Sequence, residues 1–278
     1  MRSQLSATTL HAYRRDLEEF IALLDPDRVL DDIEADDLEV ALTRIAKAPD
    51  RRYTRGLKIA EDGSTPPGRS AYSLARWFAA VKGLFRWAAD MGFVQVDPTL
   101  RVTPPRTPKR ATGARIGLQL DEALVLRAAP SRRPQETLRA DQRLTLRDEA
   151  ILRLLVESGP RVSELCGANR SDIRLHEETR TPVLHVRGKG GKDRDLPLSA
   201  PTAALIERYL AEERPAPPSP PTDPHDRAAR VRYDDASKAL FVSVRGRRLS
   251  PRDVQRMVER YTKEYLGRRA TTHSLRHT

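Results

Sequence analysis

A proline-rich, basic stretch, TPPRTPKRATG at residues 103–113, constrains this chain more than any other feature. Each proline there locks φ and removes a backbone donor, so neither a helix nor a sheet ladder runs through the stretch. It reads as an interdomain linker, which divides the 278 residues into segments 1–102 and 114–278. Both are long enough to bury a core, and an apolar content of 38% is enough to fill two. Charge is unequally shared. Residues 1–102 carry 15 Lys+Arg against 16 Asp+Glu, whereas residues 103–278 carry 35 against 23. An arginine-rich excess of that size suits a polyanion, because neutralising phosphates releases counterions and steers association.

Cys166 is the only cysteine, so no internal disulfide forms, and its place after SEL on a helix face predicts a small buried hydrophobe. No apolar run is long enough to span a bilayer, and the N-terminus lacks the apolar core of a signal peptide. A cytoplasmic protein with no membrane partner is expected.

In the first segment Leu10, Tyr13, Leu17, Phe20 and Leu24 recur every three or four residues and predict an amphipathic helix over 6–24. Ile33 and Leu38 anchor a second, shorter one. EDGSTPPG at 61–68 cannot continue a helix. From Ser70, the series Leu74, Trp77, Phe78, Val81, Leu84, Phe85 and Ala88 predicts a long helix stopped by Gly92. Its other face carries Arg76, Lys82 and Arg86, placed to touch a phosphate backbone.

The second segment predicts helices over 118–129 and 145–158, the latter capped by Thr145 with Asp148 and closed by Gly159, after which Pro160 opens another. PVLHV and DLPL flank RGKGGKDR as a β-hairpin whose glycines permit positive φ. LFVSV at 240–244 reads as a further strand, and ERPAPPSPPTDPHD as a flexible surface insertion. Residues 251–266 predict a helix with Val254, Met257, Val258, Tyr261 and Tyr265 on one side. The fold class is therefore mainly α with a small antiparallel β-sheet.

Chemistry concentrates in three strings: GPRVSEL with Arg161, VRGKGGKDR with Lys189, and HSLRHT with His273 and Arg276. A planar guanidinium binds two phosphate oxygens at once and keeps its charge at any physiological pH. His273 and Arg276, three apart at a helix start, can face one phosphate, and Glu164, three residues after Arg161, can orient that helix start. Lys189 and Lys192 share one glycine-rich turn, and either can reach a leaving oxygen. His273 and His277 have metal-ligand spacing, but no third ligand stands nearby and Arg276 between them repels a cation, so no metal is expected. His277 reads as a support for its helix.

These strings, in this order, resemble those of the tyrosine recombinases, the group that includes phage integrases and Xer-type chromosome-resolving enzymes. TTLHAYRRDLEEF resembles the family's core-binding domain. The resemblance implies a helical DNA clamp at 1–102, a linker at 103–113 and a C-terminally incomplete catalytic domain at 114–278. It also implies roles: Arg161 and Arg276 hold the scissile phosphate, His273 assists proton transfer, and Lys189 protonates the leaving 5′ oxygen. Arg76, Lys82, Arg86, Arg106, Lys109, Arg110 and Lys192 are the expected DNA contacts. Double-stranded DNA is the implied partner, with homo-oligomers forming on it. No cofactor is needed, because a 3′-phosphotyrosyl link conserves bond energy.

In the family the nucleophilic tyrosine lies beyond the HxxR box, so this 278-residue form is expected to lack it and not to cleave DNA. Tyr261 and Tyr265 precede the box and read as core. Two other readings stay open: an inactive DNA-binding relic or regulator derived from a recombinase, and an enzyme resembling type IB topoisomerases. The clamp segment and the RVSEL box favour the recombinase.

Overall fold

A computed structural model describes residues 7–25, 27–48, 68–107, 117–133, 144–188, 192–223 and 225–276. The chain divides into two compact units, Met1–Ala111 and Thr112–Thr278.

The first unit is built on helices α1 (Ala7–Ile21), α2 (Ala35–Lys47) and α3 (Ala71–Asp90), with short 3-10 turns at Leu30–Asp32 and Pro98–Arg101. The aromatic stripe of α3 is core: Trp77, Phe78, Val81 and Phe85 are buried with Phe20 of α1 and with Leu38, Ala41 and Ile45 of α2. Phe20 meets Trp77 and Phe85 edge-on, with centroids 5.9 and 6.0 Å apart, the geometry that the ring quadrupoles favour. Ser70 caps α3 by accepting a bond from the Ser73 backbone N–H at 3.2 Å.

The buried side of α1 is not purely apolar. Asp16 is 1% exposed and pairs with Arg76 at 2.7 Å, while Glu19 pairs with Arg69. Buried acids of this kind persist only when a cation meets them. Leu10, expected in the apolar stripe, is 53% exposed.

The second unit contains α4 (Leu120–Ala128), α5 (Thr145–Glu157), α6 (Val162–Gly167), α7 (Ala200–Arg208), α8 (Arg227–Lys238), α9 (Pro251–Leu266) and α10 (Thr272–Leu275). Strands β1 (Ile173–Leu175), β2 (Pro182–Arg187) and β3 (Asp193–Pro197) form one antiparallel sheet in that order. Leu184 pairs with Ile173 on one side and Leu196 on the other. Its side chain, with Val186, enters the core beside Ile151, Leu154, Leu155 and Val258.

Two local expectations are corrected here. Asp148 does not cap α5. It is fully buried and accepts from Arg147 (2.7 Å), Arg260 (3.2 Å) and the Tyr261 hydroxyl (3.1 Å). The N-terminal N–H groups of α5 that lack partners within the helix go instead to Glu213, which accepts from Leu146 and Arg147 at 3.0 and 2.9 Å from the end of a π-helical turn, Tyr209–Glu213. LFVSV is not a ladder strand. Leu240, Phe241 and Val242 are buried, but the β pairing nearby consists, among the described residues, of two isolated bridges, Asn169 to Ala239 and Val242 to Arg248. A short apolar run does not by itself distinguish a strand from buried irregular chain.

The start of the proline-rich segment, from Glu213 to Ala216, is anchored. Arg214 donates to the carbonyls of Ala236 (3.0 Å) and Ala239 (2.9 Å), closing the end of α8. Ala216 passes so close to Gly246 that a Cβ there would lie 1.9 Å from its carbonyl oxygen.

Candidate active site

The loop from α5 to α6 places the first arginine. Gly159 takes φ +57, a conformation that side chains disfavour, and its N–H closes α5 on the Leu154 carbonyl at 3.1 Å. Pro160 follows, outside the helix that it was expected to open, and Arg161 becomes the N-cap of α6. The Arg161 backbone N–H donates to Glu164 Oε2 at 2.7 Å, and its guanidinium to Oε1 at 2.6 Å. This is the half of a capping box that an acid three residues on supplies; arginine has no acceptor for the reciprocal half, and its guanidinium instead donates to the same carboxylate.

Glu164 has a second cation. Arg194, on β3, donates Nη1 to Oε1 (3.1 Å) and Nη2 to Oε2 (2.8 Å). Burial alone pushes the Glu164 carboxyl up; the Arg161 N–H, the Arg161 guanidinium and the Arg194 charge outweigh it and hold the group below the usual carboxylate range.

Arg276 arrives from the other end of the unit. It follows α10, whose N-cap Thr271 accepts from Ser274 N–H at 3.2 Å. Its Cγ would lie 3.2 Å from a Cβ at Gly159, a tight approach that the glycine leaves open while also serving the turn. Arg276 and Arg194 line one cavity of about 300 Å³ with Ser158, Gly159 and Leu196. No carboxylate pairs with Arg276 among the described residues.

Gly188, just past the end of β2, lies beside this cluster. Gly188 bonds the Lys192 carbonyl at 2.8 Å, and a Cβ on it would stand 3.5 Å from Arg194 and 3.6 Å from Glu164. Lys189, the next residue, lies outside the described residues, as do Lys109, Arg110 and His277. Lys192 is exposed, and His273 is exposed on α10. In the first unit Lys82 and Arg86 are exposed, Arg106 is exposed, and Arg76 is engaged with buried Asp16.

The structure thus brings Arg161, Glu164 and Arg194 into contact and sets Arg276 at the same cavity as Arg194. Arg194 has no place in the sequence reading. Its signal was alternation: in DRDLP, Arg194 and Leu196 share one strand face, and the same face turns into the core. Cys166 is buried, and its thiol is pushed up to about 12 by burial, with Asp253 adding to the effect. Tyr261 is 1% exposed, and burial followed by the Asp148 charge drives its hydroxyl far above its ordinary value. No tyrosine lines the arginine cavity among the described residues.

Two family models match the chain: the phage integrase family over residues 132–278, and the phage integrase N-terminal SAM-like domain over residues 1–92. The chain is 31% identical to tyrosine recombinase XerC of Neisseria gonorrhoeae over 285 residues, covering 100% of this chain and 77% of that protein. It belongs to the tyrosine recombinases. Tyrosine recombinase XerD of Mycobacterium tuberculosis is 33% identical over 247 residues, covering 88% of this recombinase and 68% of the relative.

Among solved structures, a lambda integrase dimer bound to a COC′ core site superimposes with a TM-score of 0.60 at 19% identity, covering 98% of this chain and 81% of the integrase. The Tn1549 transposon integrase in complex with circular intermediate DNA gives 0.63 at 17% identity, covering 100% and 81%. These two likenesses bear on the fold of the recombinase, a helical N-terminal unit and a mainly helical second unit with a small sheet. No helix among its described residues is long and apolar enough to cross a membrane.

Proposed function

We propose that this recombinase cuts and rejoins duplex DNA at specific sites through a 3′-phosphotyrosyl intermediate, with the arginine cavity as the seat of the scissile phosphate. The observation that carries the reading is the convergence of Arg161 and Arg194 on one buried carboxylate, next to a cavity where Arg276 has no acid partner among the described residues. Charge in a phosphoryl-transfer transition state spreads over several oxygens, and preorganised guanidinium groups stabilise it without rearranging.

In this reading Arg161 and Arg276 hold the phosphate, and Glu164 keeps Arg161 in place. His273, one short helix from Arg276, assists proton transfer. Lys189, the residue after Gly188, protonates the leaving 5′ oxygen. The chemistry needs no cofactor, because the bond energy passes through the protein–DNA link. Neither Tyr261 nor Tyr265 is assigned the attack: both lie on the inward side of α9, with ring centroids 6.4 Å apart, and Tyr261 is committed to Asp148.

DNA-bound assembly, cytoplasmic location and contacts from Lys82, Arg86, Arg106, Lys109, Arg110 and Lys192 belong to the same proposal. Support for DNA comes from the two solved relatives, a lambda integrase on its core site and the Tn1549 integrase on circular intermediate DNA, together with the basic second segment.

The test is binding of a duplex as salt is raised. Affinity is expected to fall about 10³- to 10⁵-fold between roughly 50 and 200 mM salt for some 6–10 phosphate contacts. Arg161→Ala and Arg276→Ala should each flatten that dependence, and salt-insensitive binding would overturn the proposal.

A further inference from the structure

Strand β3 pairs with β2 through Arg194 and Val186, so Arg194 occupies the row of the sheet that also carries buried Leu196. A charged group on an inward row must be paired or must stand at an opening. Arg194 does both. Two of its N–H groups go to Glu164, and its side chain, 35% exposed, reaches the cavity shared with Arg276. An arginine carries more donors than those two bonds use, and the remainder are available to whatever enters.

Glu164 itself has no capacity to spare. It accepts from the Arg161 backbone, the Arg161 guanidinium and twice from Arg194, which fills the roughly four lone-pair sites of a carboxylate. One negative charge therefore sits between two guanidinium groups, and Arg276 adds a third. Glu157, the acid that lines the cavity, is occupied by Arg127 at 2.9 Å and by the hydroxyls of Ser199 (3.0 Å) and Thr202 (2.7 Å). The site keeps a positive surplus, fixed in direction before any ligand arrives.

From this we infer that Arg194 is a third arginine ligand of the DNA phosphate, beside Arg161 and Arg276. Its two-point bond to Glu164 pre-orients the guanidinium plane, which a lysine at that position would not achieve. Gly188 serves the arrangement sterically: a Cβ there would press on the Lys192 carbonyl at 2.9 Å, while meeting Arg194 only at ordinary contact distance, 3.5 Å. The inference rests on the reading that the cavity receives a phosphate of duplex DNA.

The experiment measures affinity for a duplex of arbitrary sequence against salt concentration, for the parent chain and for Arg194→Gln, Arg194→Lys, Arg161→Ala and Arg276→Ala, with a thermal melt of each. Glutamine removes the charge but can still donate to Glu164, so the fold contact survives. Arg194→Gln should lower the slope of log K against log salt by about one, and Arg194→Lys should retain it. An unchanged slope in Arg194→Gln, with Arg161→Ala and Arg276→Ala both flattened, overturns the role of Arg194 and leaves the cavity reading standing. Equal flattening by Gln and Lys, with a lowered melt, overturns it too, since a structural loss then explains the result. Unchanged slopes in all three positions overturn the cavity reading itself.

Discussion

Arg161 binds Glu164 twice, through its backbone N–H at 2.7 Å and its guanidinium at 2.6 Å, using a different carboxylate oxygen for each. One residue's main chain and side chain are thus fixed by one acid, which is itself held by Arg194. The arrangement ties the Arg161 side chain to the start of the helix that the same acid helps to cap.

This linkage carries a pH signature. Because the folded Glu164 is held below its ordinary value of 4.5, its contribution to stability is complete above that pH and is lost as pH falls through the lower folded value. Glu164→Gln should therefore lower the melting temperature at neutral pH, with the gap to the parent closing under acid. Melts taken from neutral to strongly acid pH check this; a constant gap would contradict it.

The buried network around Asp148 predicts a graded pair of mutants. Tyr261→Phe removes one of several bonds and should cost about 1 kcal/mol. Asp148→Ala strands Arg147 and Arg260 and should cost about 3–5 kcal/mol. Urea unfolding measures both, and equal losses would count against the network as described.

Cys166 should be inert in the folded protein. Burial holds the thiol protonated, pushed up to about 12, so alkylation by iodoacetamide at mildly alkaline pH is expected only after denaturation. Mass spectrometry of native and unfolded samples decides it. Rapid labelling of the native form would show that the site opens.

Two glycines with similar backbone angles should respond differently to alanine. Gly92, φ +74, has open space where a Cβ would go, and Gly92→Ala should cost about 1–2 kcal/mol from the left-handed backbone alone. Gly246, φ +68, meets the Ala216 carbonyl at 1.9 Å, so Gly246→Ala must also displace the proline-rich segment. Its loss should be clearly larger. Comparable unfolding midpoints would mean that the segment yields without cost.

Much of this molecule was readable before folding was considered. The α9 helix runs Pro251–Leu266, as its apolar spacing predicts, and β2 and β3 flank the glycine–lysine turn as expected. Helical and strand periods are local properties, and so is the R-x-x-E box around Arg161. Local reasoning failed where a polar side chain found its partner far along the chain. Asp148 sits where a cap would sit, but Arg260 and Tyr261 claim it from 112 and 113 residues away. Arg76 lies on the polar face of α3, but α1 brings Asp16 to it.

The sequence by itself determined most of the helices, though not Ala200–Arg208 or Arg227–Lys238, together with the hairpin strands, the two-segment layout and the strings that carry Arg161, Lys189, His273 and Arg276. Only the tertiary structure decided that Arg194 closes on Glu164 and shares a cavity with Arg276. Periodicity follows from the backbone of each element, whereas the pairing of charges depends on which elements pack together, and burial makes those pairings obligatory.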